Sequence, residues 1–209
     1  MGMPVDGYCE RTGPEFWSEP VNAWTNVAFL VAAFFAYRDV RRVAAPWCLW
    51  LLVGLLTAIG IGSFVFHTVA TRWAVSFDTG PIIAFMITYV VLFPKLFLGL
   101  RWRLAWLGAP VFIAFAVLVN LVLGGGSYLP ALLGMAVLAI ILLVRGDHRR
   151  ALWFTGIAAL FGVSLALRTI DLDVCARFPL GTHFAWHVLN SVVLYLLIRV
   201  AAKRVAARG

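Results

Sequence analysis

The stretch WCLWLLVGLLTAIGIGSFVFHTV, from Trp47 to Val69, carries no Asp, Glu, Lys or Arg along its whole length. A helix of about 20 apolar residues crosses a bilayer core, and this stretch is long enough while leaving no polar face for water. The same reading extends in both directions. Val21–Tyr37, Phe77–Leu98, Leu104–Leu123, Tyr128–Val144, Leu152–Leu167 and His183–Ala201 are further apolar runs separated by short polar joints. The pattern predicts an all-α protein with a bundle of seven transmembrane helices over residues 21–202. An acidic segment at 1–20 precedes the bundle and a basic tail at 203–209 follows it.

Composition agrees. Of 209 residues, 63% are hydrophobic and only 12% are charged, about half the charged share of a soluble domain. The mean hydropathy of +0.96 leaves more apolar surface than a chain of this length can hide from water, so the surrounding solvent is lipid. Trp17, Trp47, Trp50, Trp102, Trp106, Trp153 and Trp186 stand near the ends of the runs, as aromatic residues do at a membrane interface. The first residues are polar and acidic, without the basic-then-apolar order of a signal peptide, which predicts that they stay in the mature protein.

The net charge of +8 is a topology signal. Of the 17 Lys and Arg, all but Arg11, Arg72, Arg168 and Arg177 fall in alternate joints and at the C-terminal end. The excess of basic residues on cytoplasmic loops then places the C-terminus in the cytoplasm and the N-terminus outside. Charges distributed by alternate loop do not form the continuous basic patch of a nucleic-acid binder, so no nucleic-acid partner is expected.

Ionisable groups within a membrane are costly and mark function. His67 ends the second run, whereas His183 and His187 open the last one, so two separate segments bring imidazoles to one depth near the outer face. His183 and His187 are four residues apart and share a helix face, as do Ser63 and His67. Asp78 follows eleven residues after His67 across a short joint and returns to the same depth. Three histidines with a fourth position open to water are the usual makeup of a catalytic zinc site, with a carboxylate as general base and a hydroxyl to steady an oxyanion. A single H-x-x-x-H is a weak motif, and interfacial side chains are the alternative reading. His148 lies in a cytoplasmic joint beside Arg149 and reads as solvated. The run Gly124-Gly125-Gly126 follows no strand and reads as a tight turn.

Ser63-Phe64-Val65-Phe66-His67, then Asp78, then His183-Phe184-Ala185-Trp186-His187 resemble in type, spacing and order the three motifs of the alkaline ceramidases and the wider CREST superfamily of seven-helix hydrolases. Tyr8-Cys9-Glu10, the stretch from Glu19 to Asn26, and Ile170-Asp171 with Cys175 are similar to that family too. The resemblance implies zinc ligation by His67, His183 and His187. It implies that Asp78 holds or deprotonates the water and that Ser63 stabilises the tetrahedral intermediate. The implied reaction is cleavage of the amide of ceramide or a related N-acyl lipid, releasing a fatty acid. The chain departs from the pattern where Thr79-Gly80-Pro81 follow Asp78. The resemblance also implies a calcium site on the outer segment, where Glu10 and Glu19 match best and Asp6 is displaced by one residue; hard oxygen ligands suit that ion. Cys9 and Cys175 both lie on the outer, oxidising side and the resemblance pairs them, leaving Cys48 as a free, buried thiol. Two other readings stand beside a lipid amidase: a superfamily hydrolase of a lipid ester or glycolipid anchor, and a receptor-like relative without turnover. A transporter fits less well, since mid-span positions offer only neutral polar groups such as Thr57, Asn120, Ser164 and Asn190. Few Lys, many Ala and Arg, and no N-x-S/T sequon fit a multi-pass protein of a bacterial inner membrane with its site near the outer face. No oligomeric state can be read from the sequence.

Overall fold

The structure, a computed structural model, describes residues 4–207; Arg208, counted in the basic tail, lies outside them. The described residues are helical, with no strand among them beyond an isolated bridge of Pro4 with Thr71. In chain order the helices are α1 (Pro20–Thr25), α2 (Val27–Val40), α3 (Trp47–Val69), α4 (Arg72–Leu96), α5 (Trp102–Ala105), α6 (Gly108–Leu123), α7 (Tyr128–Val144), α8 (His148–Thr169), α9 (Asp171–Val174) and α10 (His183–Ala206). Asn26 joins α1 to α2 with helical dihedrals, so Pro20–Val40 acts as one rod.

Six helices are long and apolar enough to cross a membrane: Pro20–Val40, Trp47–Val69, Arg72–Leu96, Trp102–Leu123, His148–Thr169 and His183–Ala206. Tyr128–Val144 is equally apolar but shorter, at 17 residues. Their outer faces fit a lipid solvent. Leu121 and Val144 are 80% and 81% exposed, a pattern that a lipid surrounding makes favourable.

The chain wraps around α10, which packs against α2 and α8 and also touches α1, α3 and α4. More than half of its apolar window is buried, 56%, against 6% for the window over α5 and α6, which places α6 at the periphery. In the core between α4 and α8, Phe93 and Phe97 stack on each other with centroids 4.9 Å apart, and Phe154 meets both edge to face at 5.4 and 5.5 Å.

Several helices run past their expected bounds: the first reaches Val40 and not Tyr37, α8 spans His148–Thr169 and not Leu152–Leu167, and α10 reaches Ala206 and not Ala201; one further shift bears on the site. α4 begins at Arg72, not Phe77, because Thr71 is extended (φ −120°, ψ 161°) and Arg72 to Phe77 already coil with Ala74 buried inward. Asp78 therefore sits nearly two turns into the helix, at about 3.6 residues per turn. Beside it, Gly62 lets α3 meet α4: a Cβ there would strike the Phe77 carbonyl.

Candidate metal centre

The end of α3 and the start of α10 bring three histidines together. His67, His183 and His187 are each no more than 2% exposed. Their ring centroids lie 5.1 Å (His67–His183), 4.7 Å (His67–His187) and 4.6 Å (His183–His187) apart, and one nitrogen from each lies within 4.8 Å of the other two. Among the described residues this is the one group of three or more His, Cys, Asp or Glu so gathered.

Hydrogen bonds decide which nitrogens are left to bind. His67 Nδ1 lies 2.6 Å from Glu19 Oε2. A carboxylate only accepts, so Nδ1 carries the proton and Nε2 the lone pair. His187 Nδ1 lies 2.9 Å from Thr25 Oγ1. The Thr25 hydroxyl already donates to the carbonyl of Val21 or Asn22, so it accepts from His187 and again leaves Nε2 free. His67 Nε2, His183 Nδ1 and His187 Nε2 are buried without a hydrogen-bond partner. Three orphaned buried acceptors on one point fit a metal ion, and a carboxylate behind a ligating imidazole is the usual outer support of such a site.

His183 is fixed from its N-terminal side. Asp171, 2% exposed, accepts from the backbone N–H of Thr182 (2.6 Å) and His183 (2.8 Å) through Oδ1, and from that of Cys9 (2.9 Å) through Oδ2. It thus caps α10 and anchors the outer segment to it. Gly181 makes this close approach possible: its φ is +64°, and a Cβ would collide with the Asp171 side chain and with Cys9. Cys9 and Cys175 are disulfide-bonded, while Cys48 is free and buried. The bond holds Tyr8 over the histidine cluster, where its ring stacks on His183 at 3.6 Å between centroids. Burial pushes the Tyr8 hydroxyl well above the ordinary phenol range despite the opposing Arg168 charge, so it stays a proton donor.

Asp78 and Ser63 lie beside the histidines. Both line a small cavity of about 10 Å³, room for about one water, together with Tyr8, Tyr128, Arg168, His183 and His187. Ser63 faces the Asp78 carboxylate, and the His67 ring and the Arg168 guanidinium act on it electrostatically. Ile82 and Tyr128 are shared with a second, apolar cavity of about 320 Å³ between α4, α6, α7 and α10. That cavity is the size of a small-molecule site.

The carboxylates implied for calcium serve other purposes here. Both Glu10 oxygens accept from the N-terminal amides of α1, at Val21 N (2.7 Å) and Asn22 N (2.8 Å). Glu19 pairs with the Arg11 guanidinium and with His67 and accepts from Asn22 Nδ2 at 3.2 Å. Asp6 is exposed. The three are not gathered on one point, and Arg11 already supplies a cation to Glu19, so the residues do not fit a preformed calcium site. Burial raises the Glu19 carboxyl, but the hydrogen bonds from His67 and Arg11 and the Arg11 charge outweigh it and hold the group below its ordinary value.

Sequence reasoning brought His67, His183, His187, Asp78 and Ser63 to one place and left His148 exposed at the start of α8. It missed Glu19 as the partner of His67, Thr25 as that of His187, and Arg11 and Arg168 altogether. The available signal was that only Arg11, Arg72, Arg168 and Arg177 fall away from the basic joints and the C-terminal end, and two of these four approach the site. In comparisons with known proteins, no family model matches this chain and no curated protein does.

Proposed function

We propose that this chain is a zinc-dependent amidohydrolase of the bilayer that cleaves the N-acyl bond of ceramide or a related N-acyl lipid and releases a fatty acid. One observation carries the reading: three buried, unpaired histidine nitrogens converge beside Asp78 and Ser63 at the end of an apolar cavity. In this reading Tyr128–Val144 is the seventh span, at the short end of the range near 17–25 residues. The alternating basic joints set the N-terminus and the metal centre on the outer face of a bacterial inner membrane. The motifs shared with the alkaline ceramidases point the same way.

Zinc held by His67, His183 and His187 would supply a Lewis acid and lower the pKa of water to about 7. The residues do the rest. Asp78 accepts a proton from the attacking water and returns it to the leaving amine nitrogen, a general-base and then general-acid role for one carboxylate. Ser63, beside it, donates to the oxyanion that forms on the acyl carbon. Glu19 and Thr25 keep two imidazoles in the tautomer that leaves Nε2 available. The apolar cavity takes the acyl chain, and the shared wall at Ile82 and Tyr128 puts the amide next to Asp78. The outer segment, with Tyr8 stacked on His183, closes the site from water.

The test is fatty-acid release from labelled ceramide by the purified protein in detergent, before chelation, after chelation and after zinc is restored. Release that stops with chelator, returns with zinc and is absent in His67→Ala supports the proposal. A folded, zinc-loaded protein that hydrolyses no N-acyl lipid refutes it, and release of fatty acid from ester lipids alone would assign an esterase instead.

A further inference from the structure

The polar cavity holds a cation that water activation does not use. Arg168, in the last turn of α8, lines the cavity together with Asp78. Its Cζ lies 4.7 Å from the Tyr128 ring centroid and 5.7 Å from that of Trp186. Two aromatic faces thus hold the guanidinium in place without consuming its in-plane donors. The Tyr8 hydroxyl is its hydrogen-bonding neighbour. None of the four ion pairs among the described residues includes Arg168, and it interacts with Asp78 through charge.

Arg11 shows how the same side chain looks when its role is internal. Its donors go to the Glu19 carboxylate, to Gly13 O at 3.0 Å and to His67 O at 3.1 Å, and it is 8% exposed. Arg168 is only half-buried, and no backbone carbonyl or carboxylate accepts from it among the described residues. A planar fork held on aromatic faces and turned into a cavity is the arrangement that recognises a carboxylate or phosphate.

Charge balance agrees, on the reading that the histidines hold zinc. A divalent ion and Arg168 together outweigh Asp78, the one carboxylate lining the cavity, and in a water-poor site that excess favours an anion. Geometry says where on the lipid the anion sits. With the acyl chain in the apolar cavity and the amide at the histidines, the amine-side group is the part that reaches Arg168.

We propose that Arg168 is the receptor for a carboxylate or phosphate on the amine side of the scissile amide, so that the preferred substrates are anionic N-acyl lipids such as N-acyl amino acids. The reaction is unchanged: the C–N bond breaks, the water oxygen joins the acyl carbon as fatty acid, and the water hydrogen goes to the amine nitrogen. The anionic group is held by Arg168 and leaves intact.

The experiment compares binding of N-dodecanoylglycine, N-dodecanoylethanolamine and the phosphate ester of the latter to zinc-loaded protein in detergent, by calorimetry, with turnover measured separately. The first two share chain and amide and differ in the charge. Wild type is expected to bind at least one of the anionic ligands about tenfold or more tightly than the neutral one, the scale of a charge-assisted hydrogen bond. Which of the two is favoured separates carboxylate from phosphate recognition. Arg168→Gln should erase the preference with thermal stability and zinc content retained, and Arg168→Lys should keep part of it. Equal binding by wild type overturns the proposal, as does a folded, zinc-loaded Gln variant that keeps the preference, since the metal itself would then hold the anion. Should the Gln variant not fold, Arg168→Met, which keeps the stem on the aromatic faces, decides in its place. A preference without turnover of any ligand refutes the amidase and leaves Arg168 as the anion site; turnover without preference does the reverse.

Discussion

Replacing Glu19 with Gln keeps the side chain's size and removes a single negative charge from the most buried ionic cluster of the outer segment. Glu19 is 1% exposed and Arg11 8%, and His67 donates to the same carboxylate at 2.6 Å. Removing one partner of a buried pair costs about 3–5 kcal/mol. The lower end applies here, because Arg11 keeps its bonds to Gly13 O and His67 O. The loss of an outer-shell partner also weakens metal affinity by about 10–100-fold. Thermal unfolding of chelator-treated protein reads the first quantity and competition with a zinc-binding dye reads the second. The Arg11→Met/Glu19→Gln double variant should recover part of the stability, since the orphaned charge goes with its partner. The pH dependence follows from the sign of the shift. The folded carboxyl lies below its ordinary value of 4.5, so its contribution is full above that pH and is lost as pH falls through the lower, folded value. Wild type and Gln variant should therefore converge in stability on the acid side. A Gln variant as stable as wild type and with unchanged zinc affinity would falsify the role given to Glu19.

Asp78→Asn should retain zinc and fold while turnover drops by roughly 10²–10⁴-fold, the usual loss of a general base; lower stability with unchanged turnover per folded molecule would make Asp78 structural. Gly181→Ala should lower thermal stability by more than the about 1–2 kcal/mol of a left-handed backbone alone, because its Cβ meets Asp171 and Cys9. Gly146→Ala, at φ +77° in the C-terminal turn of α7 with nothing near the added carbon, isolates the backbone cost, and equal losses at the two sites would contradict the packing described. Alkylation of unfolded, unreduced protein should label Cys48 alone, with Cys9 and Cys175 appearing only after reduction.

How legible these features are depends on how local they are. Trp47–Val69 and Tyr128–Val144 match their predicted bounds at both ends, because Pro46 precedes the first and the glycine turn precedes the second. The histidine trio is legible because helical period and short joints fix the depth of His67, His183 and His187. The start of α4 is not: Arg72 and Ser76 look like a joint, and only packing of Ala74 reveals a coiled turn. The outer segment is the least legible part. Its carboxylates read as a calcium loop on family resemblance and charge, whereas Glu19 and Arg11 pair with each other and with α3 through contacts that no local pattern encodes. Arg168 reads as a topology charge until Tyr128 and Trp186, from two other helices, are seen beneath it.

The most direct measurement is zinc content and X-ray absorption of the purified wild-type protein. The expected result is one zinc per chain with three nitrogen neighbours at about 2.0–2.1 Å, lost in His67→Ala and His187→Ala. Protein that is folded yet binds no stoichiometric zinc, or binds it without nitrogen neighbours from these histidines, would contradict the account.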